Sequence, residues 1–451
     1  MIINGKEIKI NRGNAIVSET DEAYCTLVKK ILEEGVRTHN RTGIDTIAIA
    51  GWNYKFDLSK GFPIAETKDV KAKNFTSEIQ WIHQVQSNEV KWLTDRDNHT
   101  WDLWVVDEDG IYRIYEQGEN AVNDPERLVP LMRQVNNPIT GDIEKVPVLD
   151  DSGKQVMVQS KDIMDKKDNP RTLKEAIWFG KQYAGTIGEA YGFINGTYKR
   201  PQYVEYKLKT DPSDRRMNIS LWQDAHIKNA VLPSCVWSSE YKTTPDGKLH
   251  SYVHQRSADV PLGLPFNISQ YAVLLSMFAK ATGFEVGTMS WSIMDAHIYI
   301  NQLEGIKKQL KRYEYMQMYS NIIRNSSDEE VEHLYNKNNE LFIKLNDRVK
   351  ALLGDSYDKL TMTKRINLTK LFDSALGKDY EDAFERKVSL EHLLTRETPV
   401  LELANHNSIF DYSTEYVKKG DLYLQENPIG NRDIVLKKYH PTPFISMPIA
   451  Q

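Results

Sequence analysis

The chain has 451 residues, 40% of them hydrophobic, with 58 basic against 63 acidic side chains and only two cysteines. That length supports a large core, the slight acidity argues against a duplex-binding surface, and two cysteines point to a reducing, cytoplasmic setting rather than a disulfide framework. No apolar run approaches the ~20 residues a membrane helix needs, and the start of the chain lacks the layout of a secretory signal, so neither membrane nor nucleic acid is an expected partner.

Tyr24, Leu27, Val28, Ile31 and Leu32 recur at helical spacing and predict an amphipathic helix over 21–35. Cys25, at the edge of that stripe, reads as a packed thiol. Asn40-Arg41-Thr42-Gly43 is a polar turn, and the alternating segment after it, through Phe56, predicts a strand. A second helix is expected from about Ser77 through Gln86, carrying Glu78 and Trp81. A carboxyl in so apolar a helix either faces solvent or sits in a pocket with a raised pKa suited to proton transfer. Asp107-Glu108-Asp109-Gly110 reads as a turn. From about 112 to 185 the chain turns polar, rich in Pro, Asn and Asp, with few sustained periodic runs, and ends at Gly188-Glu189-Ala190-Tyr191-Gly192.

Asp211-Pro212-Ser213-Asp214 is a turn followed by Arg215-Arg216, either a solvated pair or a fork for a phosphate. Asn218–Trp222 is expected as a strand. A hairpin follows: a run from Cys235 to Thr243, then Thr244-Pro245-Asp246-Gly247, then a run from Leu249. Pro presets φ and Gly tolerates φ > 0 in such a turn. Counting outward from the turn places Cys235 opposite Arg256 or Ser257, and a cation against a cysteine favours the nucleophilic thiolate. A cysteine protease is the rival class, but His250 and His254 on the partner strand do not fall opposite the sulfur.

Leu262-Gly263-Leu264-Pro265-Phe266-Asn267 leads into an apolar helix expected over 268–282 and ended by Gly283. Asn267 is either a helix cap or, through its paired donor and acceptor, a reader of an imide edge such as that of uracil. Met289, Trp291 and Ile293 alternate with polar neighbours in a strand, after which His297 and Tyr299 share one side and could converge on a sugar hydroxyl. Residues from about 313 to 396 form a charged, mostly helical block. In it Ser327-Asp328-Glu329-Glu330 reads as a capping box, and Leu341, Leu345, Val349 and Leu352 fall on one face. No metal-ligand spacing and no Gly-rich nucleotide loop is present, so no metal is expected.

Together these motifs resemble the thymidylate synthase and pyrimidine hydroxymethylase family. Pro233-Ser234-Cys235 is similar to its Pro-Pro-Cys nucleophile. Gln255-Arg256-Ser257, Asp259, Leu262-Gly263 and Pro265-Phe266-Asn267-Ile268 follow its longest signature, and Asp295-Ala296-His297-Ile298-Tyr299 its ribose-binding stretch. The resemblance implies an α/β (α+β) fold: a large mixed β-sheet flanked by helices, one catalytic domain over 1–451 with insertions at about 112–185 and 313–396. It also implies that Cys235 adds to C6 of deoxyuridylate (dUMP). Arg41, Arg256 and Ser257 would hold the phosphate, joined by Arg215 and Arg216 from the partner of a homodimer. His297 and Tyr299 would bind the 3'-hydroxyl, and Asn267 the uracil edge. Glu78 and Tyr191 would organise proton-carrying water. The cosubstrate 5,10-methylenetetrahydrofolate would lie near Trp101, Trp104, Leu232, Asp259, Leu262, Phe266 and Ala450.

Three departures leave the product open. Val236 stands where synthases usually carry His, Phe193-Ile194-Asn195 replaces a polar and aromatic run, and the chain ends in a polar residue after Met447-Pro448-Ile449-Ala450. Thymidylate synthesis is the favoured reading. The alternatives are hydroxymethylation of dUMP, as in phages that modify their DNA, and an inactive binding scaffold.

Overall fold

Period-2 burial builds the main sheet: Met289, Trp291 and Ile293 are buried, while Met294 is exposed on the other face. In the computed structural model, residues 1–3, 5–40, 42–116, 124, 126–160, 172–418 and 420–449 are described. The strands of the two larger sheets are β1 (Val36–Thr38), β2 (Thr46–Asp57), β3 (Ile111–Glu116), β4 (Leu128–Asn136), β5 (Ile143–Pro147), β6 (Met157–Gln159), β7 (Thr172–Trp178), β8 (Asn218–Ser220), β9 (Val236–Thr243), β10 (Lys248–Asp259) and β11 (Glu285–Tyr299). The longer helices are α1 (Glu19–Glu34), α2 (Ala72–Gln80), α3 (Gly192–Tyr198), α4 (Arg200–Thr210), α5 (Gly263–Thr282), α6 (Leu303–Asn325), α7 (Asp328–Leu353), α8 (Met362–Phe372) and α9 (Ser374–Thr395).

The main sheet has the order β8-β9-β10-β11-β2-β1. Every pair is antiparallel except β10 and β11, which run parallel with Asp259 beside His297 and Ser257 beside Asp295. A parallel pair needs a crossover, and α5 supplies it. That helix is buried nearly all round, with Tyr271 edge-on to Trp291 at 5.6 Å and Phe278 against Tyr241 at 5.0 Å. The mixed sheet and flanking helices are those the resemblance implies.

Several boundaries differ from expectation. The helix expected from Ser77 begins at Ala72 and continues as a π-helical turn over Trp81–Val85. The apolar helix starts at Gly263 rather than 268, so Asn267 is not its cap; Asp259 Oδ1 instead accepts from Leu262 N at 3.2 Å at the entrance. Pro265 lies in the first turn, where its missing N–H has no intrahelical acceptor to serve.

The stretch from 112 to 185 is not devoid of regular structure. Its described residues include most of a second sheet, β3-β7-β4-β5 with β6 paired to β4, around Ile111, Tyr115, Val129, Leu131, Val158, Leu173 and Ala176. Alternation in these strands is short and broken by polar turns, which hid it. A neighbouring cluster of Val106, Tyr112, Ile177 and Phe179 packs this sheet against Trp104 and Val231.

The block from 313 to 396 is helical as expected, and α6 enters it without a break. Ser327 and Glu330 form the reciprocal capping box, at 3.2 and 2.7 Å. The buried stripe of α7 is Val331, Tyr335, Leu345 and Val349; Leu341 and Leu352 are exposed instead. No helix among the described residues is long and apolar enough to cross a membrane.

Candidate active site

Cys235 ends the turn into β9, and its hairpin partner strand delivers Arg256. Thr244 N donates to Lys248 O and Gly247 N to Thr244 O, closing the expected turn. Pairs from Thr243–Leu249 to Ser238–His254, extended without a break, would put Cys235 opposite Ser257. A bulge at Trp237 steps the register by one, so that Val236 pairs with Gln255 and Arg256 N donates to Cys235 O at 2.9 Å. Bulges of this kind re-aim side chains beside active sites.

The Arg256 side chain then closes on the same turn. Its Nε donates to Ser234 O at 3.1 Å, and its Nη2 donates to Pro233 O at 2.7 Å and lies 3.9 Å from Cys235 Sγ. The guanidinium sits over the Trp222 ring at 5.5 Å. A permanent positive charge is therefore fixed beside a half-buried sulfur. Cys25, by contrast, is buried in α1, and burial pushes its thiol well above the ordinary range, which makes it the inert cysteine. His250 and His254 pair with Lys242 and Ser238, so neither stands opposite the sulfur.

Tyr191 meets the same residue through the backbone: its Oη accepts from Cys235 N at 2.9 Å. It holds φ at 48°, a conformation costly for a bulky residue. Next to it Gly192 is obligatory, because a Cβ there would lie 1.8 Å from Ser87 O. The Tyr191 ring packs edge-on to Trp101 at 5.3 Å, and Trp101 in turn contacts Trp81 and Trp104 at 5.9 and 5.8 Å. Glu78, on α2, is buried, and burial pushes its carboxyl up to about 7. Trp101 and Gln270 favour its anion, yet among the described residues the Trp101 indole N–H and the Gln270 amide N–H close no well-formed hydrogen bond. Buried donors left so are the usual partners of ordered water.

Asn267 is held by an amide chain. Trp291 Nε1 donates to Gln255 Oε1 at 3.1 Å, Gln255 Nε2 to Asn267 Oδ1 at 3.1 Å, and Asn267 Nδ2 to Gln270 Oε1 at 3.0 Å. The chain fixes which end of Asn267 is donor and which acceptor, and leaves one more of each for a ligand. Asp259 has both oxygens bound, Oδ2 accepting from Gln302 Nε2 at 3.1 Å. Burial raises its carboxyl, partly offset by Gln302, His297 and Lys68. His297 is buried, with its ring edge-on to Tyr299 at 5.1 Å and Nδ1 3.4 Å from Asp295. Trp104, Leu232, Leu262 and Phe266 are half-buried against the main core.

Cys235, Arg256 and Tyr191 are thus in contact, and the parallel strands set Ser257 and Asp259 beside Asp295 and His297. Arg215 and Arg216 are not at this end. Met217 O accepts from Tyr241 N, six residues along β9 from Cys235, which is about 20 Å at the strand rise. Both arginines are exposed, and Arg216 is forked onto Asp214 at 2.9 and 3.0 Å. Arg41 and Ala450 lie outside the described residues.

Sequence reasoning missed four residues. Gln255 and Gln270 orient Asn267, Gln302 joins Asp259 to the end of the chain, and Lys68, buried and with its ammonium lowered to about 8, donates to Pro261 O beside that loop. Gln255 lay within the signature but was given no role, and Lys68 stands out as a lone basic residue between the apolar Phe62–Ala65 stretch and Val70.

The site brings together a thiol beside a guanidinium, a buried carboxyl pushed up to about 7 and an amide fixed in orientation. The family model for thymidylate synthase matches residues 22–342. The thymidylate synthase of Oenococcus oeni is 32% identical over 305 residues, covering 66% of this chain and 87% of that protein. The thermostable thymidylate synthase A of Bacillus subtilis aligns in structure with a TM-score of 0.44 at 26% identity, over 65% of this chain and 84% of that one. The chain belongs to the thymidylate synthase family, one-carbon transferases that take methylenetetrahydrofolate as cosubstrate.

Proposed function

We propose that the protein transfers a one-carbon unit from 5,10-methylenetetrahydrofolate to C5 of dUMP, giving thymidylate and dihydrofolate. The observation that carries the reading is the Arg256 clamp, which puts a cation 3.9 Å from Cys235 Sγ and fixes the turn that bears it. Cys235 adds to C6, and this turns C5 into a nucleophile, splitting one difficult substitution into easier steps. Arg256, whose Nη1 makes no hydrogen bond among the described residues, binds the phosphate, and Ser257 and Arg41 are assigned to the same group. Asn267 reads the uracil edge, and with ordered water it stabilises charge developing on O4. His297 and Tyr299 hold the 3'-hydroxyl. Glu78 and Tyr191 line the water that carries the C5 proton away, and a carboxyl near 7 can both give and accept at neutral pH.

The half-buried Trp104, Leu232, Leu262 and Phe266 and the buried Trp101, which packs on Trp104, supply apolar contacts for the folate rings, and when bound the folate supplies the one-carbon unit and the hydride. The whole chain acts as one catalytic domain, with the 112–185 and 313–396 blocks as insertions. It works as a homodimer in which Arg215 and Arg216, too far from their own sulfur, reach the partner's phosphate site. The exposed Trp237, Tyr252 and Met294 on the outer sheet face give that dimer an apolar surface.

A second reading is hydroxymethylation, in which water captures the C5 methylene. It is favoured by Val236, buried beside the nucleophile where a polar residue is usual. Incubation with dUMP and methylenetetrahydrofolate, followed by mass analysis of the nucleotide, decides between them. A gain of CH2 with matching dihydrofolate absorbance supports synthesis; a gain of CH2O supports the second reading; no product from an enzyme that binds dUMP refutes both.

A further inference from the structure

The last described residues, 439–449, run from the helical block back to the pocket, and they are pinned at almost every step. Tyr439 Oη donates to Ala65 O at 3.0 Å and accepts from Val70 N at 2.9 Å. His392, on α9, lies with Nδ1 3.0 Å from His440 O. Thr442 donates through both N and Oγ1 to Glu66 O at 2.9 Å. Arg312 Nη1 donates at 2.8 Å to Thr67 O, Thr442 Oγ1 and Pro443 O together. Met447 packs on α6 so closely that a Cβ on Gly305 would lie 2.9 Å from its Cγ. Gln302 Nε2 ends the series, shared between Pro448 O at 3.0 Å and Asp259 Oδ2 at 3.1 Å.

The groups that hold this segment are themselves held by the helical block. Glu385, on α9, takes Arg312 in a fork at 2.7 and 3.2 Å, and both side chains are 1% exposed. Arg396 forks onto Glu66 at 2.8 to 3.1 Å, with His392 at 3.3 Å. Buried charges are tolerated only when fully paired, so α6 and α9 must keep one relative position for the Arg312–Glu385 pair to survive, and the end of α9 must stay against the Glu66 loop for the other. Glu66-Thr67-Lys68 is gripped in the same way, and Lys68 reaches Pro261 in the loop that follows Asp259.

We propose that α6 and α9 act as a clamp that seats residues 442–448 beside Asp259, with Arg312 and Gln302 as positioning residues that set how well water is kept from the reacting carbon. This rests on the reading of the site as a one-carbon transferase acting on dUMP. Two captures compete at the C5 methylene. Hydride adds to the exocyclic carbon, the C5=C6 bond reforms and the Cys235 thiolate leaves, with the folate oxidised to dihydrofolate. Water adds in its place, losing its proton to solvent, and the same thiolate leaves, with tetrahydrofolate unchanged in oxidation level. A loosened segment admits water and favours the second.

The test uses the full-length enzyme with R312M/E385M, which removes both buried charges at once, and Q302M, which removes hydrogen bonds to Asp259, Tyr299 and the segment itself. The double variant, which touches no residue of the nucleotide site, is expected to bind dUMP as the parent does. The KM for methylenetetrahydrofolate should rise about fivefold to tenfold, the worth of roughly one hydrogen bond, and the share of hydroxymethylated nucleotide should increase. Amide exchange over 442–448, read without any substrate, should accelerate in both. Where the double variant does not fold, Q302M alone decides. Unchanged exchange, or unchanged folate KM and product ratio in a folded variant, overturns the clamp. An inactive parent whose segment still loosens in the variants overturns the transferase reading and the clamp's role in capture, while leaving the seating of the segment in place.

Discussion

Replacing Glu78 with Gln separates what the buried carboxyl does for chemistry from what it costs the fold. Burial pushes this group up to about 7 from an ordinary 4.5, with Trp101 and Gln270 offsetting part of the penalty. A folded-state value above the unfolded one means that the native protein holds the proton more tightly. Stability is therefore complete below about pH 4.5 and is lost progressively as pH rises through 7. At about 1.4 kcal/mol per pH unit, the full cost of the anion is about 3 kcal/mol. Gln keeps the shape and carries no such cost. In urea unfolding followed by tryptophan fluorescence, E78Q should exceed the parent by about 3 kcal/mol at pH 8.5 and by less than about 1 kcal/mol at pH 5. Its turnover should fall by about 10²- to 10⁴-fold, the usual worth of a positioned proton carrier. An equal stability difference at both pH values would refute burial as the cause, and retained turnover would remove Glu78 from the proton path.

Three further outcomes are expected. Cys235→Ala should abolish turnover while leaving dUMP affinity within a few-fold in calorimetry; an active variant would end the covalent mechanism, and a chain that binds no nucleotide at all would favour a scaffold. Tyr191→Phe strips Cys235 N of its acceptor, so thermal unfolding should register a loss of about 1–3 kcal/mol, with turnover reduced as well; unchanged stability would show that water replaces the hydroxyl. Asn267→Asp keeps the acceptor used by Gln255 but loses the donor to Gln270 Oε1. Competition binding should show dUMP weakened by about a hundredfold and the cytidylate analogue strengthened, and equal losses for both nucleotides would mean that Asn267 does not read the base.

The hairpin was legible because its turn has a local mechanism in Pro245 and Gly247, and counting from it reached the right pair of residues. The count could not choose between Arg256 and Ser257, since the bulge at Trp237 depends on packing against the rest of the sheet. The α5 boundary slipped for a related reason: Gly263 and Pro265 read as breakers, yet both sit in a first turn, where neither costs a helix bond. The second sheet was missed because its strands are short and two-sided. The links from the helical block span 245 to 330 residues to Thr67 and Glu66 and 48 to 146 to the chain end, and no spacing rule encodes contacts of that range. Arg312, Glu385 and Arg396 look like ordinary members of a charged helix until the fold buries them.

Because β10 and β11 run in the same direction, the far ends of both strands emerge at one rim, and only the 20-residue α5 joins them. Cys235 and Arg256 travel together in a single excisable hairpin, but Asn267 and His297 arrive by way of that interior helix. A peptide cut to the hairpin would carry a reactive thiol and its cation with nothing to select a nucleotide. Selectivity and reactivity therefore belong to different lengths of chain, and any transplant of this chemistry to another scaffold must carry the crossover along with the thiol.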